Sequence, residues 1–328
     1  MEMEDMARAC PFGQMKTNCL SYIHLRKNAS MLDYAALNAL AAVAREGSFD
    51  RAARALHVTP SAISQRIRLL EERVGCALVV RGQPCVPTET GRRMCQHMDR
   101  VLLMEQELGD ALPTVAPEGG VRVRLPVAVN ADSLATWFAP ALAAFAAEAP
   151  VLVDLSVDDQ DHTAEWLRTG AVVAAVTSTA RPATGCNSQP LGVMRYLAAA
   201  SPAFVARYFA QGVGAGSLAQ APSLLFNTKD ELQAGWVRRL CHRHVELPRH
   251  TLPSSHAFVT AALAGMGWGM FPQSMVETHL ADGSLVELVP GTPLDVPLHW
   301  QTARAASGVL DGLTRQIVAA ARAGLLSL

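Results

Sequence analysis

Apolar positions in the first third of the chain recur with helical spacing. In MLDYAALNALAAVAREG the stripe is Leu37, Leu40, Ala41 and Ala44, and Gly47 marks the stop. SFDRAARALHV follows, with Ser48 as N-cap and Ala52, Ala53 and Leu56 turned inward. A turn of one or two residues then leads into TPSAISQRIRLLEERVG at 59–75. There Ile63, Ile67, Leu70 and Val74 share one face; Thr59 suits the N-cap, Pro60 the first helical position and Gly75 the stop. The opposite face carries Ser61, Gln65, Arg68 and Glu72, with Ser64 at its edge. Short polar residues at the helix start suit a surface that must approach a partner closely. A short helix, a tight turn and a second helix predict a helix-turn-helix. CALVVRGQPCVPTETG then reads as two short strands about a Gly82–Pro84 turn, which is a wing.

From Thr88 a long helix is predicted, with Met94, Met98, Val101, Glu105, Leu108 and Leu112 in four-three spacing. A stripe this long with no neighbour in sequence to cover it points to a two-stranded coiled coil. PTVAPEGG at 113–120 reads as a linker. Beyond it, strands alternate with helices: strands at 121–129, 151–157 and 171–177, with helices at 132–150 and 161–170 between them. A second block places strands at 195–201, 223–226 and 266–271 and helices near 203–210, 230–243, 256–264 and 273–281. LHWQTA and a helix at 308–324 follow. Alternating units predict parallel sheets covered by helices, in two α/β lobes with a ligand cleft between them.

Charge sharpens this division. Between Arg45 and Arg93 nine Arg stand against five acids, a net of +4, whereas the chain from Met94 onward carries −5. A basic module on an acidic remainder predicts a polyanion partner for the first part alone. Seven cysteines with no C-x-x-C pair argue for a reducing compartment rather than a disulfide framework. LATWFAPALAAFAA at 134–147 is too short to span a bilayer. Acidic residues precede any apolar run in residues 1–30, so that segment is read as a poorly ordered extension rather than a secretory signal. A cytoplasmic protein is expected.

The run FDRAARALHVTPSAISQRIRLLEERVG, with LVVR and PTETG after it, resembles the winged helix-turn-helix of LysR-type transcriptional regulators. VNADSLATW at 129–137 is similar to the subgroup that controls arginine or lysine export (the ArgP/LysG type, also described as inhibitors of replication initiation). The resemblance covers the chain from Met31 onward. It implies a periplasmic-binding-protein-like effector domain of two lobes, a homodimer or homotetramer, double-stranded DNA as partner, RNA polymerase as a further one, and a small amino acid as effector. The expected layout is a winged helix-turn-helix at 31–90, a dimerising linker helix at 91–118 and an effector domain at 119–328. Its first lobe comprises 119–192 and 293–328, its second 193–292. Pro60 stands where the family usually has Gln, strand 171–177 lacks an early Asp, and Asn227 and His256 stand where the export regulators would carry acids.

Candidate DNA contacts follow from chemistry. Ser61, Ser64, Gln65 and Arg68 lie outward for base edges, since Gln pairs with adenine and Arg with guanine. Arg51, Arg54, Arg66 and Arg81 are placed for phosphates, which set affinity and its salt dependence, and Thr88 joins them at the wing. For the effector, the strand ends near Asn130 and a helix opens at Ser133, where free N–H groups suit a carboxylate. The bland reading there is that Asp132 or Ser133 caps the helix. Thr177 and Ser178 share the rim of the sheet, Asn227, Ser254 and Ser255 face from the second lobe, and Asp158 with Asp159 offers charge for an ammonium or guanidinium. No cofactor or metal is called for; His242, His244 and His250 lack ligands to complete a site. No G-x-S-x-G, P-loop or H-E-x-x-H motif speaks for an enzyme. Two rivals stay open: an effector-independent replication-origin or architectural DNA binder, and a thiol redox-sensing regulator acting through Cys186 and Cys241.

Overall fold

The computed structural model describes residues 32–111, 124–148, 151–158 and 163–327. The extension at 1–30, the linker at 113–120, Leu112 and Asp159 lie outside them. Two compact units divide at Met98 and Asp99.

The first unit is built from three helices and a wing. α1 (Tyr34–Glu46) is capped by Asp33, whose carboxylate accepts from the N–H groups of Ala35 and Ala36 at 2.9 and 3.3 Å. Gly47 ends it in the left-handed region at φ 64°. α2 (Phe49–Ala55) starts on the Ser48 cap, and α3 (Pro60–Val74) on Thr59, whose hydroxyl accepts from Ala62 N–H at 3.2 Å. Leu37, Leu40, Ala52, Ala53, Ile63, Ile67 and Leu70 are buried together, as the spacing predicts. Val74, the fourth member of the α3 stripe, is exposed instead. The turn between α2 and α3 also differs, running four residues from Leu56 to Thr59 with His57 at φ 53°. The alanine-rich pattern hid that early helix end.

The wing pairs β1 (Val79–Val80) antiparallel to β2 (Val86–Pro87). Three bonds fix it. The Glu71 carboxylate accepts from Leu78 N–H at 2.8 Å, Cys85 N–H donates to Gly47 O at 2.8 Å, and the Thr88 hydroxyl donates to Ala77 O at 2.9 Å. α4 (Glu89–Ala111) begins here, with Thr88 Oγ1 accepting from Gly91 N–H. On the predicted stripe, Met98 and Val101 are already buried, while Glu105 is exposed.

In the second unit, β3 (Arg124–Asn130) leads into a helix, α5, that runs without a break through Ala131–Ser133, Leu134–Phe138 and Ala139–Glu148. Leu134–Phe138 is a widened π-turn. It lies just ahead of Pro140, whose ring would meet the Thr136 carbonyl in a regular helix and which has no N–H to give it. Then come β4 (Leu152–Asp158), α6 (Thr163–Thr169), β5 (Ala174–Thr177), β6 (Cys186–Ala200), α7 (Pro202–Tyr208) and α8 (Ala215–Leu218). β7 (Ser223–Leu225), α9 (Leu232–Cys241), β8 (Arg249–Thr251), α10 (Ser255–Leu263), β9 (Gly269–Pro272) and α11 (Gln273–Ala281) continue the second lobe. β10 (Val286–Glu287), β11 (Leu294–Ala303) and α12 (Ser307–Gly324) complete the described chain.

The strands are ordered β10–β6–β11–β5–β3–β4, with β9 also on β6 and β7–β8 as a separate pair. The expectation of parallel sheets is therefore corrected. β3 is parallel to β4 and β5, and β7 to β8, but β6 and β11 run antiparallel to each other and to every other strand they touch. These two long strands serve both lobes. Residues 299–303 of β11 pair with the first half of β6, 299–302 also with β5, and 294–298 with the second half of β6, with a register shift between Leu298 and His299. β6 starts at Cys186, nine residues before the strand read from RYLAAAS, and β8 and β10 were not read at all. CNSQPLG carries Pro and Gly and shows no strand pattern of its own; pairing with β11 makes it extended. The core sits on both faces, with Phe138, Tyr196, Trp236, Trp268 and Trp300 almost wholly enclosed.

Candidate nucleic-acid interface and effector cleft

On α3 the side chains of Ser61, Gln65 and Arg68 are exposed, three or four residues apart and on the face away from the buried isoleucines; Ser64 and Arg66 are half-buried beside them. Arg68 is not free. Its Nε donates to Glu72 at 2.9 Å, in a pair whose side chains are 76% and 55% exposed, so the bond is weak. Of the basic residues, Arg51 donates to the Glu46 carbonyl, Arg81 lies 5.5 Å from the Phe49 ring centre, and Arg54 is exposed. The Thr88 hydroxyl donates to Ala77 O in the wing and accepts from Gly91 N–H at the start of α4.

The second unit brings polar side chains together where β3 and β5 end side by side. Asn130 and Thr177 sit at the C-terminal ends of these parallel neighbours and are almost fully buried, at 1% and 0% exposure. Neither Asp132 nor Ser133 caps α5, so the bland reading of this stretch fails. Asp132 instead accepts a hydrogen bond from the Tyr196 hydroxyl at 2.9 Å. Asn130 Oδ1 and Nδ2, Ser133 Oγ and Ser255 Oγ are buried with no hydrogen-bond partner. Buried polar atoms are almost always paired, and unpaired ones at the end of β3 and at the starts of α5 and α10 mark a place for a ligand or ordered water.

Two acids give this cleft its charge. Burial pushes the Asp132 carboxyl above the usual carboxylate range; Ser255 and Tyr196 pull it back, and Asp230 pushes it further up. Of these two hydroxyls, that of Tyr196 stands at hydrogen-bond distance from the carboxylate. Burial also raises Asp230, against the N–H groups of Phe226 and Leu232 and the Gln233 side chain, with Glu231 adding to the rise. No basic side chain among the described residues contributes to either shift. Asp230 was missed by the sequence reading, because NTKDEL looks like an ordinary polar turn.

Asn227 and Ser254 are engaged in local turns and caps instead, and the other predicted residues line the strand ends. Asn227 Oδ1 accepts from Lys229 N–H at 2.7 Å, closing its own turn, and exposed Ser254 caps α10 by accepting from Ala257 N–H at 3.3 Å. Thr177 Oγ1 accepts from Thr179 N–H at 3.1 Å, and Ser178 follows it, half-buried. Asp158 ends β4, opposite Asn130 in register. A groove of about 640 Å³ is lined by Thr136 and Trp137 of α5, His256 and Thr260 of α10 and His279 of α11. Among the described residues no group of three His, Cys, Asp or Glu is placed to hold a metal. Burial pushes the Cys186 thiol up, partly offset by Arg304, which disfavours the thiolate a redox sensor needs. No helix among the described residues is long and apolar enough to cross a membrane.

A winged helix-turn-helix joined to a two-lobed α/β domain with a polar cleft defines a ligand-responsive DNA-binding regulator. The chain belongs to the LysR family of transcriptional regulators: the family models "Bacterial regulatory helix-turn-helix protein, lysR family" and "LysR substrate binding domain" match residues 34–92 and 118–325. It is 45% identical to the HTH-type transcriptional regulator ArgP of Pseudomonas aeruginosa over 298 residues, 90% of this chain and 98% of that one. The crystal structure of ArgP from Mycobacterium tuberculosis is similar at 44% identity and a TM-score of 0.73, covering 91% of this chain and all of that one. Full-length LysG from Corynebacterium glutamicum, solved with bound effector Arg, matches at 34% identity and a TM-score of 0.62, over 90% and 100% of the two chains.

Proposed function

We propose that this regulator binds a basic amino acid, lysine or arginine, between its lobes and changes its operator affinity in response. The observation that carries the reading is the pair Asp132 and Asp230, both raised by burial, with Asp230 adding to the rise at Asp132 and Glu231 to that at Asp230, and with no cation contributing among the described residues. Two acids so placed favour a ligand that brings positive charge. A basic amino acid supplies an α-ammonium and a second cation, and its carboxylate suits the start of α5 beside Ser133. These acids take the place of those expected at 227 and 256. The arginine held by the related LysG supports the same ligand class.

At the DNA, Gln65 and Arg68 with Ser61 and Ser64 read bases, and Arg51, Arg54, Arg66 and Arg81 meet phosphates. The layout is that expected from the sequence, with α4 joining two copies into a homodimer and the target an amino-acid exporter gene. Ligand acts only through a difference in affinity between two lobe arrangements, which α4 passes to the spacing of the paired DNA heads. The test is binding to the protein's own upstream DNA, titrated with lysine, arginine, citrulline and glutamine. A shift with lysine or arginine alone is the expected result. Specific binding that no amino acid alters favours the effector-independent rival and removes the ligand assignment.

A further inference from the structure

Tyr196 belongs to the half of β6 that pairs with β9 of the second lobe, where it stands opposite Pro272. Its side chain is fully enclosed, yet the hydroxyl reaches Asp132 at the start of α5, in the first lobe, at 2.9 Å. A phenol donating to a carboxylate favours the ionised form and fixes its orientation. The groups that face Asp132 from other packed elements are Ser255 of α10 and Asp230 ahead of α9. The Ser255 hydroxyl favours the charge, and Asp230 opposes it. The phenol, at 2.9 Å, thus supports from the second lobe an acid which burial disfavours.

We infer that Tyr196 is a positioning residue for effector recognition: it holds the Asp132 carboxylate between the lobes as an oriented acceptor for the cation of a basic amino acid. This rests on the ligand class proposed above. Removing the hydroxyl leaves the carboxylate less oriented and lets it keep its proton to higher pH. Cation binding then weakens, and weakens more in mild acid.

The experiment is calorimetric titration of the full-length protein with L-lysine and L-arginine at about pH 6 and about pH 8, below and above neutrality. Wild type, Tyr196→Phe and Asp132→Asn are compared. Y196F is expected to bind about tenfold more weakly at the higher pH, the scale of one charge-assisted hydrogen bond, and to lose further affinity at the lower. D132N, whose amide oxygen still accepts from Tyr196, is expected to bind weakly at both. A Y196F protein that melts like wild type and binds lysine equally well at both pH values overturns the inference while leaving the ligand class intact. D132N binding lysine as wild type does overturns it even where Y196F fails to fold. Wild type binding neither amino acid sinks the ligand class, and the role of Tyr196 with it.

Discussion

Val193 and Leu326 exchange both backbone hydrogen bonds, Val193 N–H to Leu326 O at 2.8 Å and Leu326 N–H to Val193 O at 3.0 Å. The segment after α12 thereby adds a single rung to β6, close to where β11 shifts register against it. Both strands serve both lobes, so this rung braces the crossing point.

Gly192 makes that rung possible. Its φ is 145°, and a Cβ there would stand 2.7 Å from Leu326 O and 2.9 Å from Leu325 Cβ. Gly192→Ala is expected to destabilise the protein by roughly 1–3 kcal/mol through backbone strain and lost contact. Urea unfolding of the full chain measures it; an unchanged midpoint would show that the rung yields freely.

Replacing Gln65 by Ala is expected to cost about 1–3 kcal/mol at the cognate operator and to relax selectivity at one base pair. Arg54→Ala is expected to weaken all duplexes alike and to reduce the salt slope by about one ion. Fluorescence anisotropy across salt concentrations and single-base operator variants separates the two. Equal behaviour of the two variants would contradict the division of labour on this face.

Glu71 ties α3 to the wing through the N–H groups of Leu78 and Val79, at 2.8 and 3.4 Å. Glu71→Ala is expected to cost about 1–3 kcal/mol by leaving these donors without a charged acceptor. DNA affinity should fall with it, and amino-acid binding should not change. Parallel anisotropy and calorimetry check both halves of the statement.

The sign of the Asp132 effect on stability follows from its raised pKa. The folded state holds the Asp132 proton more tightly than the unfolded chain, so its relative stabilisation is full below the unfolded value of 3.8 and is lost as pH rises through the raised folded value. Asp132→Asn removes that loss. The ligand-free variant is expected to melt higher than wild type at neutral pH, by about 2–4 °C for each kcal/mol relieved. The difference should vanish in acid, and added lysine should no longer raise the melting point. Scanning calorimetry with and without lysine tests both signs; a variant that melts lower at neutral pH would mean the charge is already compensated.

The DNA-reading unit was legible because its signals are local. Caps at Ser48 and Thr59, stops at Gly47 and Gly75, and the spacing of Ile63, Ile67 and Leu70 each act within a few residues. The effector cleft was legible in part, on one side through β3 and α5 and on the other through Ser255 alone. VNADS at a strand end marked Asn130, Asp132 and Ser133, whereas Asp230 sits in a polar turn and Tyr196 in an apolar strand, with nothing nearby to single out either.

What the sequence determined alone is therefore the helix-turn-helix, the wing, the order of α/β units and the charge difference between the two parts, because hydrogen bonds and apolar periodicity of short range carry them. Tertiary structure decided the rest. It made β6 and β11 antiparallel strands shared by two lobes, since long-range pairing overrode the Pro and Gly of CNSQPLG. It also set Tyr196 and Asp230 against Asp132, because burial in a common cleft couples groups 64 and 98 residues apart in ways that no local pattern records.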